Sequence, residues 1–170
     1  MPAVKTQQAR FIVEIPNNKE MLFKVAMDDE VTTSSISFNI NHPRSLADQT
    51  VGSLKESLTN SIISSMMAAR LGELTQKPNA PLMAAGYSYG NLALSKKQLG
   101  LRVNPKPNMQ AEAFKVALTE LIRAVKFGFT QAEIDRTIAR IKNSYETQIE
   151  KVNDISHGRI ISMIQSNYLE

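Results

Sequence analysis

The sequence predicts an α+β fold: a two-layer domain with a mostly antiparallel sheet and helices on one side, in the order β-β-α-β-β-α-α. Three observations carry this. Apolar and polar residues alternate around residues 23–27, 36–40 and 99–103, the period of a half-buried strand. Apolar residues recur every three or four positions through 46–76 and 113–125, the period of a helix with one covered face. A further run of the same period, 134–149, follows a glycine stop.

The elements follow in chain order. Phe23, Val25 and Met27 alternate with Lys24 and Ala26, and Ile36, Phe38 and Ile40 alternate with Ser35, Ser37 and Asn39; "DDEVTT" between them reads as a polar turn. "NHPRS" stops the second strand, because proline removes a ladder donor. From about Leu46 to Gln76, Leu54, Leu58, Ile62, Met66 and Leu74 mark a long helix, widened into a broader apolar stripe by "SIISSMMAARL". Prolines end it. "GYSYGNLAL" and the alternation of Leu99, Leu101 and Val103 then form a hairpin joined through Ser95, Lys96 and Lys97. Ala113, Phe114, Ala117, Leu118, Leu121, Ile122 and Val125 line the next helix, which runs into Gly128 as its terminating residue.

The last junction is the most tightly specified. Thr130 is a good N-cap and Glu133 lies three residues on, the spacing of a reciprocal capping box, with Phe129 and Ile134 placed for a hydrophobic staple. Ile134, Ile138, Ile141, Tyr145 and Ile149 then fall on one helical face, which is expected to be buried.

Composition narrows the chemistry. At 170 residues the chain is long enough for one domain with a core of its own. It has no cysteine, which removes disulfides, thiolate metal sites and cysteine nucleophiles together. The formal charge is +4, and Lys96-Lys97 is the only adjacent basic pair, so nucleic acid is not expected as a partner; a basic nucleic-acid module is kept as an alternative reading. No apolar run reaches the roughly 18 residues of a membrane span. Residues 1–20 read as a lead-in from a preceding domain and 21–170 as a single domain of a longer chain.

The run "ALTELIRAVKFGFTQAEIDRTIARIKNSYE" resembles the helix-Gly-Phe-Thr-x-x-Glu-helix segment of the insulinase/pitrilysin-like zinc metallopeptidases, the inverzincins, which include mitochondrial processing peptidase and respiratory-complex core subunits. "ISFNINHP", followed by a helix ending in "MMAARLGELTQ", resembles a strand and an Arg-Leu helix of the same domain type. "IPNNKEMLFKVAMDDEVTTSSISF" resembles the entry to the second domain of large bacterial members. The resemblance implies a metallopeptidase/processing-peptidase-type domain, used repeatedly in a parent whose two halves close around a chamber holding peptides. It implies zinc in the parent's catalytic domain, held through H-x-x-E-H. His42 and His157 are far apart and neither begins or ends such a motif, so this chain carries neither catalytic nor metal-binding residues of that kind.

The resemblance also implies an arginine followed seven positions later by a tyrosine in the far half of the parent. No arginine here has a tyrosine at that offset, which favours the second domain of the first half. The expected role is a non-catalytic domain that shapes the chamber and positions substrate. Its partners would be the catalytic domain and other half of the parent, with peptides as the parent's substrates. The alternative is a scaffold domain of a superfamily member without proteolytic activity. A periplasmic or cell-envelope parent follows from the resemblance alone.

Individual residues carry further expectations. Tyr87 and Tyr89 share a strand face, available either to a bound peptide or to packing against helices. Glu150, Asp154 and His157 would align along a continuous helix, but Asn153, Asp154, Ser156 and Gly158 disfavour one. His42 before Pro43 reads as a strand-end residue, Asp28-Asp29-Glu30 as a solvated turn, and Ser88 lacks a histidine or lysine neighbour in sequence.

Overall fold

The computed structural model describes residues 13–44 and 50–169. The chain divides into two compact units, Met1–Gly128 and Phe129–Glu170. The first holds a three-stranded antiparallel sheet in the order β1-β3-β2, with β1 at Ile36–Pro43, β2 at Leu82–Ala93 and β3 at Lys96–Pro105. Two helices belong to the same unit, α1 at Val51–Thr75 and α2 at Gln110–Phe127. The second unit holds α3 at Gln131–Glu150, a 3-10 turn at Val152–Asp154 and α4 at His157–Leu169.

β3 is the central strand, paired on both sides, so its apolar residues are the deepest. Leu101 and Val103 are buried between Phe38 and Ile36 of β1 and Tyr87 and Ala85 of β2. These residues form the helix side of the sheet. The Phe38 ring meets Phe114 of α2 edge-on, with centroids 6.4 Å apart. Met66, Met67, Leu71 and Leu74 of α1 and Ala113, Ala117 and Leu121 of α2 complete the core. The small alanines let α2 approach closely, and the methionines fill the irregular space that remains.

The strand expected at 23–27 does not form. Phe23 is 84% and Met27 93% exposed, and the backbone from residue 13 to residue 35 joins no ladder. Alternation is necessary for a half-buried strand but does not supply the neighbour whose N–H and C=O groups it needs. The observed order is therefore β-α-β-β-α-α-α, counting the short α4. The helix start expected near Leu46 lies outside the described residues; α1 opens at Val51 behind a capping box. Thr50 Oγ1 accepts from Ser53 N at 3.1 Å and Ser53 Oγ accepts from Thr50 N at 3.1 Å. β2 begins earlier than the aromatic run, and a two-residue turn at Leu94-Ser95 delivers Lys96 directly into β3. Asn79 and Asn108 take positive φ in the turns before β2 and α2, a conformation that asparagine tolerates.

On α3 the buried line is rotated from the expected stripe. Thr137 is buried between the half-buried Ile134 and Ile141, whereas Ile138 is 47% exposed and Tyr145 and Ile149 are exposed further along. Positions 134, 137 and 141 are one face at i, i+3 and i+7; Ile138 flanks it.

Candidate functional site: the polar face of the sheet

Side chains alternate across a strand, so the residues between the core positions share the opposite face of the sheet. The register places them in three rows: Ser37, Arg102 and Gly86; Asn39, Gly100 and Ser88; Asn41, Gln98 and Gly90. None of the nine is apolar beyond glycine. All but Gln98 and Gly100 are exposed. Gln98 Nε2 donates to Asn41 Oδ1 at 3.1 Å across the strands. Gly100 is buried beneath its neighbours: a Cβ there would stand 2.7 Å from Ser88 Oγ and 3.2 Å from Asn39 Oδ1. Gly86 and Gly90 leave stretches of backbone open among amides and hydroxyls. Such a surface can hydrogen-bond an extended polypeptide through amides while imposing little side-chain selectivity.

Tyr87 and Tyr89 lie on the other side. They pair with Leu101 and Leu99, are half-buried, and belong to the face that the helices cover. Burial pushes the Tyr87 phenol above its ordinary range, and Tyr89 beside it adds to the rise. The Tyr89 ring lies 6.2 Å from that of His42, the penultimate residue of β1. The polar rows were visible in the sequence only as the spacer positions of the alternation; their cross-strand neighbours require the register.

The capping residues are placed as their spacing requires. Thr130 Oγ1 accepts from Glu133 N at 3.4 Å and Glu133 Oε2 accepts from Thr130 N at 2.7 Å. Gly128 caps α2, its N–H donating to Ala124 O at 2.9 Å, and its carbonyl accepts from Arg70 Nη2 at 3.1 Å. Asp28 turns the chain locally, its Oδ1 accepting from Glu30 N and its carbonyl from Val31 N.

A catalytic zinc needs three converging protein ligands. His42 is the penultimate residue of β1 and His157 opens α4. Glu150 ends α3, and the 3-10 turn with extended Ile155 separates it from His157, so the three donors share no helical face. Among the described residues no three histidine, cysteine, aspartate or glutamate side chains converge. Among those residues, too, no helix is long and apolar enough to cross a membrane.

No protein-family model and no curated protein matches the chain. Solved structures do. The periplasmic protease PqqL from Escherichia coli is similar over 84% of this chain, at a TM-score of 0.73 and 20% identity. The structure of the first half of PqqL alone gives the same score and identity. A predicted insulinase family protease from Yersinia pestis is similar over 81% of this chain, at a TM-score of 0.65 and 14% identity. The chain spans 16% of the PqqL chain, and 30% of the PqqL half and of the Yersinia protein. At these identities the likeness is one of fold, which this chain shares with parts of these proteases.

Proposed function

We propose that the chain is a non-catalytic domain of a bacterial zinc-dependent metallopeptidase, shaping the substrate chamber and positioning peptides for a catalytic domain elsewhere in the parent. The observation that carries this is the polar, glycine-bearing and largely exposed sheet face in a fold shared with protease structures. The likeness to the first half of PqqL supports a place in the parent's first half, as does the missing arginine-tyrosine pair. The absence of H-x-x-E-H supports its being a domain other than the catalytic one, to which the zinc is assigned. Its partners are then the catalytic domain and the other half of the parent. PqqL is periplasmic, which supports a periplasmic or envelope address for that parent.

The test is made in the parent protease. Asn39→Phe and Ser88→Phe place bulk on the polar face without touching the core. KM for an extended peptide should rise about tenfold with kcat unchanged, the signature of lost uniform binding. Unchanged kinetics for peptides of every length would favour the scaffold reading.

A further inference from the structure

At the end of the sheet where β1 stops and β3 starts, a cavity of about 600 Å³ opens between residues 14–17 and the strand ends. Two hydrogen bonds hold that segment in place: Ser95 Oγ donates to Val13 O at 3.1 Å and Lys96 Nζ donates to Asn17 Oδ1 at 2.5 Å. Lys96 is the first residue of β3, and its position between two strands leaves it only 7% exposed. An ammonium has three donors and a full charge, and removing it from water is unfavourable unless both are answered. Asn17 offers a neutral oxygen. Among the described residues Lys96 forms no ion pair, whereas its neighbour Lys97 finds the Glu56 carboxylate. Glu14 lines the same cavity without pairing to Lys96. Ile15, Pro16 and Pro43 supply apolar surface, which lowers the local dielectric and strengthens attraction to an anion.

We propose that this cavity is an oxyanion-binding site, taking a carboxylate or phosphate group at the Lys96 ammonium. It stands independently of the peptidase reading. The volume suits a group larger than a bare ion, such as a residue ending in a carboxylate. The shared chemistry has two sources, a peptide carboxyl terminus and free phosphate.

The test is a titration of the isotope-labelled 170-residue chain at low ionic strength, following the backbone amides of Arg44, Ser95 and Lys96 by NMR. The probes are N-acetylglycine, its uncharged amide and inorganic phosphate. Saturable shifts are expected with N-acetylglycine, with phosphate, or with both, and none with the amide. Saturation by N-acetylglycine alone assigns the site to peptide termini, and by phosphate alone to the free ion. Lys96→Met should weaken binding by about tenfold or more, while Lys96→Arg retains it. Glu14→Gln should strengthen it, which keeps the test decisive if Lys96→Met does not fold. No saturation by either anion up to about 50 mM, or equal affinity in Lys96→Met and the parent chain, would overturn the proposal.

Discussion

Gly128 holds φ 69° and ψ −152°, a region open to glycine and strained for any residue with a Cβ. The expected cost of Gly128→Ala is about 1 to 3 kcal/mol, although nothing lies within 4 Å of the added carbon. A denaturation midpoint equal to that of the wild-type chain would contradict this. Two residues on, Thr130→Ala removes an N-cap oxygen from α3 and should cost about 0.5 to 2 kcal/mol. Amide exchange in the first turn of α3 reads that loss locally, and unaltered protection there would count against the capping box. Tyr87 gives a pH prediction. Its folded-state pKa is raised, so the unfolded chain ionises first as pH rises. The stability it contributes is whole below about pH 10 and is lost as pH climbs through the folded-state value. Tyr87→Phe should therefore flatten the alkaline decline in unfolding midpoint, and an identical decline in both proteins would contradict the sign.

Between elements, the polar link of α1 to α2 is the Arg70–Glu120–Arg123 cluster. Glu120 is 8% exposed, with Oε1 accepting from Arg70 Nη1 at 3.3 Å and Oε2 from Arg123 Nη1 at 3.0 Å. Arg123 is largely exposed, so most of the value rests on the half-buried Arg70. Glu120→Ala removes a carboxylate from that guanidinium and should destabilise by about 2 kcal/mol in urea unfolding. High salt should shrink the difference only slightly, because the pair is shielded from ions. Nothing in the sequence marks Glu120 apart from other helix glutamates. It sits one position before the buried Leu121, and pairing with an arginine 50 residues away becomes visible only once α1 and α2 are side by side. The elements themselves were legible where pattern and neighbours agree. The alternation at Ile36–Ile40 and Leu99–Val103 became β1 and β3 because each supplies the other's ladder. The same alternation at Phe23–Met27 found no partner strand. The α3 stripe was displaced because Thr137, whose methyl and hydroxyl suit a crowded position, took the buried place that isoleucine spacing assigned to Ile138.

At the scale of the whole chain, the α+β class was readable from periodicity, and the fold likeness to protease structures agrees with the resemblance of the Gly-Phe-Thr-x-x-Glu junction. The candidate site was readable only in part. Periodicity gives two faces to each strand but not which face the helices cover, so Tyr87 and Tyr89 were open to either side until Phe38 met Phe114 and fixed the buried one. The polar face then follows from strand geometry. The central functional claim is that this chain positions peptides without performing the chemistry. It is tested most directly by measuring zinc content and quenched-peptide cleavage on the purified chain with zinc supplied. The expected result is less than one tightly held zinc per chain and no chelator-sensitive cleavage. One equivalent of zinc together with cleavage abolished by chelator and by Glu150→Gln would contradict the account and place an active site within these 170 residues.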